Sequence, residues 1–259
     1  MRSMDISLSQ LLIGYLLLLI PIWLLYNYKT GLVKDTLLSV TRMTIQLFLI
    51  GIYLEFLFRI NNAFINLAWV FIMVLVTAFT VVRRTKLSFK LLFIPISIAI
   101  LISTMLVSGF FFVCVLQLSS VFEARYFIPI CGMMLGNMLT AGVISLNAFY
   151  SGIRREKTLY LFSMANGATP SEAQQYFLRD AIIKSINPNI ATMAVMGLIS
   201  LPGTMTGQIL GGSSPSVAIK YQIMIMVAIF SSSIISVIIT ILLSTQKAFT
   251  KNGVIKNSI

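Results

Sequence analysis

Long apolar runs alternate with short basic segments along this chain. Each run is close to the roughly 20 helical residues needed to cross a hydrocarbon core. The first, Ile6 to Tyr28, carries no charge, and Trp23, Tyr26 and Tyr28 at its end form an interfacial aromatic belt. No small-residue A-x-A site follows, so it is read as an uncleaved helix that Pro21 kinks. Further runs span Leu37 to Phe58, Phe64 to Val82, Leu91 to about Leu116, Ile128 to Tyr150, about Asn189 to Leu210, and Tyr221 to Leu243. The pattern predicts an all-α, polytopic integral membrane protein of about seven transmembrane helices, one membrane domain over residues 1–259.

The interval of about 151–187 breaks the apolar rhythm and reads as a helix-turn-helix handle. A first helix closes at Asn166-Gly167, where glycine supplies the left-handed residue of a helix end. A second begins with Thr169 as N-cap, Pro170 at the first helical position and Glu172 at the third, a capping box with a proline start. It is predicted to reach about Ile186. Phe177, Leu178, Ala181, Ile182 and Ile186 form an apolar stripe suited to a partner or to the bilayer surface.

The sixth run is uncharged and interrupted. Pro202 cannot donate the usual backbone bond, so a kink or break is predicted near Leu201. Gly203, Gly207 and Gly211 recur every four residues, and Gly132, Gly136 and Thr140 do the same in the fifth run. This spacing serves close helix packing or a gate. Broken backbone in lipid requires protein or a water-filled cavity around it. Thr204, Thr206 and Gln208 therefore mark a candidate substrate path, with Asn137, Met133, Met138 and Met205 as further polar or thioether groups; a kinked helix with packing glycines is the simpler reading. In the second run Arg42 and Gln46 lie one turn apart and could line a polar path or a subunit contact, or Arg42 could snorkel to the headgroups.

Composition places these runs in a membrane: hydrophobic residues make up 58% of the chain and charged ones 10%, against about a quarter charged in soluble domains. The net charge of +12 lies between apolar runs, where it sets orientation and meets anionic lipid, so no nucleic-acid partner is expected. With the C-terminus in the cytoplasm, only Arg2, Arg59, Arg125 and Lys220 of the basic residues fall outside. That bias predicts an external N-terminus, a cytoplasmic C-terminus and a cytoplasmic handle. Cys114 and Cys131 both lie in apolar runs and read as packing groups. The chain has no histidine, no hydrolytic triad and no G-x-x-x-x-G-K-[ST] loop, so neither ordinary hydrolysis nor ATP binding has its parts. No enzyme activity and no cofactor of its own are expected, and no residue set identifies a metal site.

Met134-Leu135-Gly136-Asn137, the Gly167 to Pro170 turn, and LPGTMTGQILGG from Leu201 to Gly212 with Tyr221-Gln222 beyond it resemble the FetB-type permeases of iron-exporting ABC transporters. Plant relatives of that family are linked to aluminium tolerance. The similarity covers nearly the whole chain, although Thr204 stands where the family commonly has methionine. The handle is similar to the cytoplasmic loop by which ABC permeases engage their ATPases, with Gly167 at that loop's glycine. The resemblance implies an inner-membrane permease, present in two copies, that exports iron or a related metal ion. It pairs with a separate ATP-binding subunit that carries ATP and Mg, and Glu156, Gly167, Ala168, Thr169, Pro170 and Ala173 form the coupling surface. A gradient-driven secondary transporter or channel using Arg42, Gln46 and Glu55, and a membrane scaffold, are the readings from other classes.

Overall fold

The computed structural model describes residues 7–118, 120–250 and 253–256; Arg2 and Ile6, named above, lie outside them. Ten α-helices follow in order: α1 (Leu8–Tyr15), α2 (Leu19–Asn27), α3 (Val33–Ile60), α4 (Ala63–Thr85), α5 (Phe89–Phe110), α6 (Ala124–Arg155), α7 (Lys157–Ala165), α8 (Pro170–Val195), α9 (Gly203–Leu210) and α10 (Pro215–Ala248). No strand occurs among the described residues, only two isolated bridges. The chain is an all-α, multi-pass membrane protein.

Among the described residues six stretches are long and apolar enough to cross a bilayer: Leu8–Asn27, Val33–Ile60, Ala63–Thr85, Phe89–Val115, Ala124–Arg155 and Pro215–Ala248. They overlap six of the seven expected runs. Within the first, a 3-10 turn at Leu16–Leu18 separates α1 from α2, because Pro21 lacks the N–H that would bond the carbonyl of Leu17. The remaining run differs from expectation. The second handle helix does not stop near Ile186 but continues through Asn187 and Pro188 to Val195, and α9 begins only at Gly203. Pro188 withdraws a single bond, the one to the carbonyl of Lys184, and a helix started by a strong cap runs through it. The break falls at 196–202, where Met196 is extended, Gly197 takes φ +85° and the N–H of Gly197 bonds the carbonyl of Ser200 at 3.0 Å.

The core is a bundle of α4, α5, α6, α8 and α10 in which α6 packs against α4, α8 and α10, and α10 also against α5. A Cβ at Gly132 would approach Met73 at 3.2 Å and one at Gly142 would approach Val81 at 3.5 Å, so α4 and α6 run parallel. The Tyr150 hydroxyl donates to Ser244 Oγ at 2.9 Å, aligning α10 with them. A Cβ at Gly152 would lie 3.2 Å from Phe177, so α8 starts where α6 ends and runs back. Arg83, Arg84, Arg154, Arg155 and Lys247 in the last turns of α4, α6 and α10 therefore gather at one end, called the basic end below. Small hydroxyl residues seal the bundle. Buried Ser103, Thr104, Ser145, Ser232 and Ser244 donate to carbonyls three or four residues back in their own helices, so their polar groups are satisfied while neighbouring helices approach closely.

The hairpin of α1, α2 and α3 is joined to this bundle at one end only. Leu57 packs with Ala124 and Ile128, Tyr53 stacks near Trp69 with ring centroids 4.4 Å apart, and Asn61 Oδ1 accepts the Ala124 N–H at 2.9 Å. Towards the basic end α3 parts from the bundle and touches α1, where Tyr15 and Thr44 share a hydroxyl contact.

Candidate functional site

The handle is built as its residues dictate. α7 ends at Ala165, Gly167 takes φ +95°, and Thr169 caps α8. Thr169 Oγ1 accepts the Glu172 N–H at 3.3 Å while Glu172 Oε2 accepts the Thr169 N–H at 2.7 Å. The backbone bond, then the Thr169 hydroxyl, hold the Glu172 carboxyl below its ordinary pKa. A lowered carboxylate contributes above its unfolded pKa and loses that contribution as pH falls through its folded one. The protection of the Ser171 to Ala173 amides against exchange, taken relative to the unfolded rate at each pH, is accordingly expected to fall as pH drops through the lowered carboxyl pKa, and a Glu172→Gln chain to show a smaller fall; equal falls in both chains would remove the carboxylate from the cap.

Of the expected coupling residues, Gly167 and Thr169 are exposed, Ala168 and Glu156 are half-buried, and Pro170 lies at the helix start. Ala173 does not face outward: it is 7% exposed and packs in the core with Phe177, because it sits on the apolar stripe of α8. Glu156 is held by Arg155 at 3.1 Å. The exposed large apolar side chains of the handle are Leu159, Leu161, Phe162, Tyr176 and Ile183.

A feature absent from the sequence reading secures the handle. After α10 the chain folds back, with Phe249 bridged to Ile255 and the Thr250 N–H bonded to the Val254 carbonyl at 2.9 Å. The buried Tyr160 hydroxyl of α7 donates to the Gly253 carbonyl at 2.7 Å. Gly253 has φ +76°, and a Cβ there would lie 2.8 Å from Met164 Sδ and 3.0 Å from Pro170 Cγ. The tail is thus a strap from the end of α10 across the turn between α7 and α8. Burial, partly offset by the Gln174 amide, pushes the Tyr160 phenol above its usual pKa and keeps it a donor. The signal available in the sequence was the Asn252-Gly253 turn pair.

At the other end of α8 the break is bracketed by one side chain of α10. Gln222, 6% exposed, accepts the Thr204 hydroxyl at 2.5 Å through Oε1, and its Nε2 lies 3.9 Å from Met196 Sδ. It touches both sides of the interruption. Met205 and Gln208 are half-buried and Thr206 exposed, the Thr206 hydroxyl donating to the Pro202 carbonyl at 3.1 Å. Asn189 Nδ2 is buried without a partner.

The other polar surface runs along α6. Gly136, Thr140, Asn147 and Ser151 are exposed and Asn137 is half-buried, a stripe at steps of four and seven residues down one side of a membrane-crossing helix, with half-buried Val143 and Ile144 between Thr140 and Asn147. Asn137 Nδ2 donates to the Met133 carbonyl at 3.0 Å, and the Thr140 and Ser151 hydroxyls are likewise spent on their own helix. Met138 is not on this face. It is 1% exposed and packs in the core, half a turn away from the stripe.

Several expected groupings do not form within one chain. α9 packs chiefly on α10, which leaves Met205, Thr206 and Gln208 apart from Asn137. Arg42 and Gln46 are exposed on the free half of α3. A Cβ at Gly136, Gly203 or Gly207 would meet nothing within 4 Å, while Gly211 lies against carbonyls of its own segment, the nearest at 3.2 Å. Close approach at the first three positions would therefore be to something outside this chain. Among the described residues no three His, Cys, Asp or Glu side chains converge.

Comparison with known proteins covers nearly the whole chain. The family described as "Uncharacterised protein family (UPF0014)" matches residues 8–249. The chain is 32% identical over 249 residues to "Probable iron export permease protein FetB" of Escherichia coli K12, spanning 96% of this chain and 95% of that one. It is 33% identical over 234 residues to "Protein ALUMINUM SENSITIVE 3" of Arabidopsis thaliana, 90% and 84% of the two chains. With "UPF0014 membrane protein YjkA" of Bacillus subtilis it shares 30% identity over 263 residues and the full length of both. No solved structure matches it. Its apolar helices and these matches together place the chain in the UPF0014 family of multi-pass membrane proteins.

Proposed function

We propose that this chain is the permease subunit of an ABC transporter that moves a metal ion, iron being the leading candidate, out of the cytoplasm, with ATP and Mg bound by a separate subunit. The observation that carries the transport reading is the polar stripe of α6. Asn147 is exposed in the last third of a membrane-crossing helix, two turns before Arg154, and with Thr140 and Ser151 on the same side it is more at home beside water or a second protein surface than against lipid. Two copies set with these stripes facing one another would enclose a polar path, and the carbonyls freed at 196–202 with the Gln208 amide would line its far end. Such oxygen donors suit harder cations and bind them weakly, as passage requires. The relatives named for iron export and for aluminium sensitivity support a metal cargo.

The ATPase reading rests on the handle, whose exposed Phe162 and Tyr176 flank the Gly167 turn. It is tested by co-purification with a P-loop ATPase and by metal-stimulated ATP hydrolysis of the complex. In a Gly167→Val chain, a β-branched residue at φ +95° costs roughly 1–2 kcal/mol, so insertion is expected to persist while stimulated hydrolysis falls severalfold. Sustained metal flux in vesicles without ATP would support the gradient-driven alternative instead.

The dimer is tested through the glycines. Because Cβ atoms at Gly136, Gly203 and Gly207 meet open space, leucine there should leave the single chain folded and lower the dimeric fraction, read by crosslinking in membranes. A dimeric fraction equal to that of a leucine at exposed Gly51, where a Cβ also meets nothing, would argue against these faces as the contact.

A further inference from the structure

At the basic end, the strap closes one side of a cavity of about 320 Å³. Its polar lining is Arg154 from the end of α6, Lys157 and Tyr160 from α7, and Lys256 from the returning tail, and its apolar walls include Leu161 and Ile255. Among the described residues no carboxylate lines it, and the nearby Glu156 is engaged by Arg155. Lys256 Nζ donates to the Lys247 carbonyl at 2.8 Å, which fixes the ammonium at the cavity and leaves further donors free. Basic residues beside membrane helices usually extend singly towards headgroups. Here three cations from three separate segments are brought around one concavity by the fold-back of the tail. Gathering like charges is unfavourable unless an anion lies among them.

We propose that this cavity binds a phosphate-bearing anion: the phosphate takes the Arg154, Lys157 and Lys256 donors, and an attached acyl or glycerol portion lies on Leu161 and Ile255. The apolar walls suit an acidic phospholipid headgroup, and free phosphate shares the same charged chemistry. An anion held there would tie α6, α7 and the tail together and stiffen the handle. The site stands independently of the transport reading, because binding is measured without a partner subunit or a cargo.

The test uses the full chain, delipidated in detergent. Retention of added phosphatidylglycerol and phosphatidylcholine is compared by native mass spectrometry, with inorganic phosphate as competitor. At roughly fivefold per cation, a Lys157→Gln/Lys256→Gln chain is expected to bind phosphatidylglycerol about 30-fold more weakly, and an Arg154→Gln chain about fivefold more weakly. A Lys86→Gln/Lys90→Gln chain, which removes the same charge from the turn between α4 and α5, should keep its affinity. Millimolar phosphate that displaces the lipid, or binds the wild-type chain alone with the same sensitivity to the substitutions, would assign the site to the free anion. Equal loss in the Lys86/Lys90 control, or no preference for phosphatidylglycerol over phosphatidylcholine in the wild-type chain together with no phosphate binding, would overturn the proposal. Gel filtration of each variant and its content of α-helix confirm that the compared chains are folded, and Arg154→Gln supplies the result if the double variant is not.

Discussion

A Gly253→Val chain is expected to lose the strap across the handle while the transmembrane bundle stays intact. A β-branched residue at φ +76° is strained, by roughly 1–2 kcal/mol, and its Cβ would overlap Met164 Sδ at 2.8 Å and Pro170 Cγ at 3.0 Å. Overpacking of that kind adds about 1–3 kcal/mol. The penalty is of the same size as what the three backbone bonds of the tail hairpin and the Tyr160 bond return, each about 1 kcal/mol net, so the tail should be detached in a much larger share of molecules. Amide exchange of residues 253–256 and proteolysis after Lys247 should then rise by at least tenfold, with little change in α4 to α6. Tyr160→Phe supplies a milder version: it removes the donor to the Gly253 carbonyl and leaves the ring in contact with Phe249 and Phe177. Unchanged exchange of the tail in Gly253→Val would show that the strap is not what positions the handle. If the handle couples an ATPase to the helices, the same chain should also lose stimulated hydrolysis, because the strap joins that turn directly to the end of α10.

Replacing Asn147 by leucine should have the other large effect, and it should fall on passage of the cargo. Asn147 is exposed on α6 and its side chain makes no hydrogen bond among the described residues, only its carbonyl accepting from Ser151, so the single chain should fold and insert at least as well with leucine, which is the better helix former. If the stripe lines a path, leucine there withdraws a polar group from the passing cation near the basic end, and metal-stimulated ATP hydrolysis should fall by tenfold or more, about 1.4 kcal/mol or beyond. Asn137→Ala and Gln208→Ala should lower stimulation less, since the Asn137 amide is partly spent on the Met133 carbonyl and Gln208 stands at the far end. Met138→Leu should leave it unchanged, as Met138 lies in the core. Full stimulation in Asn147→Leu, with normal assembly, would mean that the α6 stripe faces protein and not the cargo.

What the sequence by itself determined is everything that depends on neighbours along the chain. Apolar length set the six continuous spans. Gly167, Thr169, Pro170 and Glu172 set the handle turn, since left-handed glycines and capping boxes are made by residues within one helical turn. Pro202 announced an interruption for the same local reason. The tertiary structure decided what depends on which face a helix turns inward. It carried α8 past Pro188 and moved the break to 196–202, buried Met138 and Ala173, and left Gly136, Asn147 and Gly207 open. In an apolar span nearly every face reads alike, so periodicity cannot say which one the bundle covers. Nor could spacing foresee that Gln222 brackets the break from 18 residues beyond Thr204, or that Gly253 meets Tyr160 across 93 residues. Contacts of that separation exist only after the helices have packed.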